Sequence, residues 1–339
     1  MPSVSIIITS YNYGRFLFEA IDSALHQTYK ETEVIVVDDG STDNSRERIA
    51  SYGKRITAVL KENGGQASAF NAGFSVSNGD IIIFLDSDDS LCLNAVEEVV
   101  KVWYPEISKV HYRLQWIDAE GNLLNSYCPP AGTHLPFGDL KTKFMQEGVY
   151  NTPPTSGNAF GRWFLQLIMP IPEDEWHLYT DAYLHLHAPI YGEIAAVQET
   201  LGYYRVHGSN ASSLVKYKSY KDRLVREIAM RNRREALILK AANKMNLQPC
   251  FDPTVIIAKK LALLLICPEH SLIKNESLIR LVLRGFRAIW NETDIPVWKQ
   301  IAVSAYFILV PFIPRGVAKN LSYWYVFPES RPSFMKHLI

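Results

Sequence analysis

Ile81-Ile82-Ile83-Phe84-Leu85-Asp86-Ser87-Asp88-Asp89 is the stretch on which the reading of this chain turns. An unbroken apolar run that stops at three carboxylates predicts a strand buried on both faces. Such a strand delivers its acids to the rim of a parallel sheet, where open α/β sheets bind ligands. Three carboxylates within four residues repel one another unless a cation lies between them, and their hard oxygens suit Mg²⁺ or Mn²⁺. One reading is therefore a divalent metal on a diphosphate. The other is a helix start, with Asp88, Asp89 or Ser90 capping a helix over 93–102.

Upstream, the same unit recurs. Val4 to Ile8 is a β-branched run broken by Thr9-Ser10-Tyr11-Asn12-Tyr13-Gly14, after which Phe16, Ala20, Ile21 and Ala24 fall at helical spacing. Val34 to Val37 ends in Asp38-Asp39-Gly40-Ser41-Thr42-Asp43 before a helix over 45–51. Ile56 to Leu60 leads through Lys61-Glu62-Asn63-Gly64-Gly65-Gln66 into a helix over 67–75. Strands alternating with helices predict a parallel sheet with right-handed crossovers, so the loops after the strands share one rim. Tyr11, Asp39, Gly64-Gly65, Asp86 and Asp88 are thus expected around one cleft. Neither Gly-x-Gly-x-x-Gly after the first strand nor Gly-x-x-x-x-Gly-Lys-Ser/Thr occurs, which disfavours a dinucleotide oxidoreductase or a P-loop NTPase. Without a glycine cradle, a diphosphate would need a metal.

Four motifs in order, Ser-Ile-Ile-Ile-Thr-Ser-Tyr-Asn (5–12), Val-Val-Asp-Asp-Gly-Ser-Thr-Asp (36–43), Asn-Gly-Gly-Gln-Ala-Ser-Ala-Phe-Asn-Ala-Gly (63–73) and Leu-Asp-Ser-Asp-Asp (85–89), make the chain resemble the family-2 glycosyltransferases with a GT-A fold. The resemblance covers about the first two hundred residues. It implies an α/β fold, a mostly parallel sheet flanked by helices, a nucleotide-sugar donor, usually UDP-linked, and metal-assisted transfer with inversion. By the same resemblance Tyr11 walls the nucleobase, Asp39 accepts a hydrogen bond from the base, Asp86 faces the ribose and Asp88 ligates Mn²⁺ or Mg²⁺. Lys61, Gln66 and Asn71 are expected along the diphosphate and sugar, with Thr9, Gly65 and Ser87 completing the donor site.

Val110 to Asp118 alternates and runs into Glu120-Gly121-Asn122, predicting a strand and hairpin turn. Residues 129–154 read as loops over the cleft, Thr155 to Phe160 as the start of a helix-like stretch. An inverting transferase needs a base to deprotonate the acceptor hydroxyl. The family places an acidic pair at a helix start here with the second member as base, a position that Asp181 matches. Thr180 departs from the acidic first position, and Asp174 and Glu175 compete. Glu199 to Asn210 matches the family's Tyr-Arg-x-His element, which makes His207 a candidate further metal ligand and puts Arg205 near the phosphates.

Beyond Ser213 the pattern turns helical, so residues 1–213 are expected to form the catalytic domain and 214–339 a helical extension. Tyr217, Tyr220, Leu224 and Ile228 share a face in a segment rich in Lys and Arg, including Lys216 and Lys218. Such a helix suits anionic headgroups or a lipid-linked acceptor, or else a solvated face. Val255 to Cys267 and Ile301 to Pro314 are apolar but shorter than the roughly 20 residues of a spanning helix. They fit burial, a homo-oligomer interface, or peripheral membrane contact with Trp298, Tyr306, Trp324 and Tyr325 as anchors.

With 35 basic and 35 acidic residues and 47% apolar residues among 339, the chain is not disordered and has no global charge that would favour nucleic acid. Cys92, Cys128, Cys250 and Cys267 form no Cys-x-x-Cys pair, and the sequence enters a strand at Val4 without an apolar leader. A cytoplasmic location is expected, with the inner membrane face as the site of any lipid contact. The expected activity is transfer of a sugar to a hydroxyl acceptor, a saccharide or lipid-linked saccharide. A non-catalytic nucleotide-sugar or carbohydrate-binding subunit is the alternative from another class.

Overall fold

The computed structural model describes residues 1–176, 180–208, 210, 219–245, 254–291 and 296–327. The chain divides into two compact units, Met1–Asn210 and Ala211–Ile339.

The first unit opens with β1 (Val4–Ser10), α1 (Gly14–Leu25), β2 (Thr32–Asp39), α2 (Ser45–Ala50), β3 (Thr57–Lys61), α3 (Gln66–Val76) and β4 (Ile81–Asp86). Then follow β5 (Ser90–Leu91), α4 (Ala95–Lys101), β6 (Ile107–Ile117), β7 (Leu123–Cys128), α5 (Lys141–Glu147), β8 (Asn158–Gly161), α6 (Arg162–Ile168), α7 (Glu173–Trp176), α8 (Thr180–Tyr191) and β9 (Glu193–Arg205). The strands form one sheet in the order β3-β2-β1-β4-β8-β6-β9-β5, with β7 pairing the end of β6. Ile81 to Leu85 are wholly buried, as a strand covered on both faces requires.

β1 to β4 run parallel, and so do β6 and β9. Their register sets the rim: Thr9 lies beside Asp86, Ser10 beside Asp38 and Asp39 beside Lys61. The later strands β5, β7 and β8 pair antiparallel, so the sheet is mixed. β8 corrects one expectation. Thr155–Gly157 is a 3₁₀ turn and Asn158–Gly161 a strand wedged between β4 and β6, the helix starting only at Arg162. Four residues, Asn-Ala-Phe-Gly, are too few for periodicity to tell strand from helix. What commits it to the sheet is close backbone approach: a Cβ on Gly161 would stand 3.0 Å from the Ile107 carbonyl. Within the 129–154 loop region the structure adds α5.

The second unit comprises α9 (Tyr220–Met245), α10 (Thr254–Ile266), α11 (Leu278–Asn291), α12 (Val297–Leu309) and α13 (Arg315–Val326). α10 is central, with Ile256, Ile257, Ala258, Leu261, Ala262 and Leu263 buried in a core shared with Leu224, Phe307 and Phe327. The two lysines that interrupt its apolar run are paired, Lys259 with Glu227 at 2.5 Å and Lys260 with Glu276 at 3.8 Å. Along α9, Arg223 and Arg231 pair with Glu227 and Glu235 one turn on. Those cations serve the packing of the helix, which weakens its reading as a lipid-binding face. Lys216, Tyr217 and Lys218 lie outside the described residues. Tyr306 stacks on Tyr325 at 4.6 Å and hydrogen-bonds Ser322, so these two expected anchors are half-buried against the core. Among the described residues, no helix is long and apolar enough to cross a membrane.

Candidate active site

The cleft is framed by loops that hold one another. Asn12 takes a left-handed backbone (φ 58°) after β1. Its Oδ1 accepts the Thr42 and Asp43 N–H groups, and its own N–H donates to Ser41 Oγ. Asp43 Oδ2 in turn accepts the Gly14 N–H at the start of α1. The first two loops are thereby one rigid piece, from which Tyr11 projects with 47% of its surface exposed.

Asp39 is almost fully buried. Its Oδ1 accepts Lys61 Nζ at 2.6 Å and the Gly64 N–H at 3.0 Å, and Oδ2 accepts the Gly65 N–H at 2.7 Å. A carboxylate has about four acceptor directions, so capacity for one more donor remains. Gly65 sits at φ 84°, a conformation glycine adopts without steric cost, and this aims its N–H at Asp39. Gln66 donates to Asp86 Oδ1 at 3.1 Å. Asn71 departs from its expected place along the donor: both ends of its amide are engaged by Ile171 backbone, at 2.8 and 3.0 Å, and it also reaches Glu173. It fixes the loop before α7. Thr9 stands at the rim beside Asp86, while Ser87 is buried.

The acid cluster splits into three roles. Asp89 is buried and accepts Ser156 Oγ at 2.6 Å and the Arg205 N–H at 2.9 Å. It pins the turn and does not cap α4; Asn94 occupies that N-cap position. Burial, then the charges of Asp88 and Asp181, push the Asp86 carboxyl up to about 8. Asp88 Oδ2 lies 3.0 Å from His207 Nε2 and 3.3 Å from Asn210 Nδ2. The His207 ring is held by Phe16 at 4.8 Å and Tyr13 at 5.5 Å between centroids, and Asn210 Oδ1 accepts the His207 N–H.

Arg205, expected near the phosphates, is instead fully buried. Its guanidinium donates to the carbonyls of Asp88 and Asp118 and pairs with Glu19. The arginine braces the acidic turn from behind. Asn210 was missed by sequence reasoning, although it stands three residues past His207 in the same small-residue loop.

A divalent cation suits this donor set. A hard carboxylate oxygen and an imidazole nitrogen converge, with an excess of negative charge around them, and phosphate oxygens would supply the remaining ligands. Among the described residues, no group of three or more His, Cys, Asp or Glu side chains is arranged to hold an ion alone.

Asp181 enters from the first turn of α8. Its side chain is 27% exposed, Oδ1 accepts the Ala182 N–H at 2.8 Å, and Oδ2 lies 3.8 Å from His185 Nε2. Burial raises its carboxyl above the usual range, and its charge is felt at Asp86. Thr180 is buried and donates its hydroxyl to the Trp176 carbonyl, a bond that an ionised acid at that position could not make. Asp174 and Glu175 are exposed.

Residues 5–113 match the family described as Glycosyl transferase family 2. The chain belongs to that family. An uncharacterized glycosyltransferase of Nostoc sp. is 36% identical over 215 residues, 61% of this chain and 66% of that protein. One from Rickettsia conorii is 35% identical over 198 residues, covering 51% of this chain and 32% of the relative. Chondroitin synthase of Pasteurella multocida is 40% identical over 133 residues, 38% of this chain and 14% of that enzyme. The chain thus accounts for part of each relative. Among solved structures, S. aureus TarS 1-349 superposes with TM-score 0.51 and 15% identity, covering 98% of this family 2 chain and 93% of the other. Its complex with UDP-GlcNAc gives TM-score 0.52 at 14% identity, covering 96% and 91%. At that identity the likeness is one of fold, and the fold is GT-A.

Proposed function

We propose that this chain transfers a sugar from a nucleotide diphosphate sugar, most directly a UDP-sugar, to a hydroxyl acceptor with inversion at the anomeric carbon. The observation that carries the reading is the convergence of Asp86, the Asp88–His207 pair and Asp181 at the end of β4, on a chain whose N-terminal motifs are those of family 2. The complexes of S. aureus TarS with UDP and UDP-GlcNAc lend support to the uridine choice.

In this reading Tyr11 stacks against the base, and Asp39 offers its spare acceptor direction to the base N–H. Gln66 orients Asp86 toward the ribose hydroxyls. Asp88 and His207 would hold Mn²⁺ or Mg²⁺. When bound, that ion neutralises charge developing on the departing diphosphate. Asp181 takes the proton of the acceptor hydroxyl as its oxygen attacks the anomeric carbon opposite the diphosphate. Asp181 is preferred to Asp174 and Glu175 because its carboxyl is partly desolvated and electrostatically linked to Asp86, whereas the other two face solvent. Desolvation raises basicity, which suits a base working near neutral pH.

The test is donor turnover with a panel of UDP-, GDP- and dTDP-sugars in Mn²⁺, scored as released nucleotide diphosphate. Asp181→Asn is expected to lose about 10²- to 10⁴-fold in turnover with donor affinity retained. Saturable donor binding without any released sugar in the wild type would favour a binding subunit instead.

A further inference from the structure

Helix α11 has more apolar surface than its packing uses. Leu281, Gly285, Ala288 and Ile289 face the core, and a Cβ on Gly285 would meet the Phe307 ring, so α11 lies tight on α12. On the opposite side Ile279, Leu283, Phe286 and Trp290, three or four residues apart, form a second apolar stripe. These four are between 40% and 73% exposed. α12 and the turn after it continue in kind, with Trp298 57%, Ile301 56%, Leu309 57% and Phe312 85% exposed. Trp290 Nε1 donates to Ser304 Oγ of α12 at 3.1 Å, which joins the two helices at that end.

Charge decides what this surface meets. Across α11, α12 and α13 there is no acidic residue; Arg280, Arg284, Arg287, Lys299, Arg315 and Lys319 are basic, and of these Arg284 pairs with Glu276. Arg280 and Arg287 are exposed seven residues apart, along one border of the stripe. We propose that this face lies flat on an anionic lipid bilayer, aromatic and aliphatic side chains entering the headgroup boundary and the arginines pairing with lipid phosphates. A second copy of the chain fits less well, because a two-fold contact with the α11 helices antiparallel would set the arginine rows beside each other. The geometry favours lying on over spanning: 14 residues of helix reach about 21 Å, short of the roughly 30 Å hydrocarbon core. The inference stands apart from the catalytic reading, since none of these residues belongs to the donor site.

Flotation of the full chain with phosphatidylcholine vesicles, and with vesicles carrying about one anionic phosphatidylglycerol in four lipids, tests it. Binding to the anionic vesicles is expected to exceed binding to neutral ones by about tenfold or more and to fall steeply with salt. Ile279→Gln with Phe286→Gln should lower it by about tenfold, and Arg280→Glu with Arg287→Glu should bring it to the neutral-vesicle level. Phe312→Ser, at an 85% exposed side chain, gives a loss in the same direction without touching the core. Donor affinity and the melting curve of each variant should match the wild type, which separates this surface from the active site and from misfolding. Equal binding to both vesicle types, no effect of either double variant, or a stable dimer abolished by Phe286→Gln would overturn the proposal.

Discussion

His207 Nε2 lies 3.0 Å from Asp88 Oδ2, although 119 residues separate the two in sequence. The contact closes the rim: the last strand of the first unit returns its terminal loop to the acid cluster at the end of β4. If the pair holds a divalent ion, removing the imidazole weakens the ion more than it disturbs the fold. His207→Ala is expected to weaken Mn²⁺-dependent UDP binding by roughly 10- to 100-fold, with UDP binding in chelator unchanged. Titration calorimetry at several Mn²⁺ concentrations measures both.

The acid side of the activity profile should report Asp181. Burial raises its carboxyl, so the protonated, inactive form persists to higher pH than for a solvated aspartate at about 3.9. Activity under saturating donor and acceptor should rise with pH through that raised value and be lost as pH falls below it. Glu at this position would keep a base but move it, so Asp181→Glu should retain a titrating limb where Asp181→Asn has none. A wild-type limb at the solvated aspartate value would contradict the assignment.

Arg205 stabilises the acidic turn from inside the protein. Its guanidinium reaches the Asp88 carbonyl and Glu19, and its backbone N–H holds Asp89. Arg205→Met keeps much of the volume and the backbone bond to Asp89 but leaves the Asp88 and Asp118 carbonyls and Glu19 without their cation. A loss of about 3 kcal/mol is expected, read as a lower midpoint in urea, together with weaker donor binding because Asp88 is no longer braced. A stability change within about 0.5 kcal/mol would show that the arginine is dispensable to the turn.

The first four strands and the loops that follow them were legible because each repeats one pattern, an apolar run, a polar break and a helical period, and such units allow few topologies. The Asp88–His207 meeting was visible only through motif order, since no local pattern joins residues so far apart. β8 was misread because Asn158 to Gly161 is too short to show a period and its pairing partners are distant. Arg205 and Asn71 were placed at the ligand for a related reason: a polar side chain beside a motif looks the same in sequence whether it faces substrate or, as here, backbone carbonyls. In the second unit, burial was one of the readings open for α10, and the pairing of its two lysines is what lets it lie in the core, while the exposed stripe of α11 became apparent only once its buried face was known.

On the proposed function, Asp88 serves a cation that carries the donor's diphosphate. Titration calorimetry of UDP into the wild type and Asp88→Asn, each with Mn²⁺ and with chelator, tests it most directly. Wild-type binding should be tight and weakened by chelator about tenfold or more, and the Asp88→Asn protein should bind weakly and equally in both conditions. Equal Mn²⁺-dependent affinity in the two proteins would contradict it.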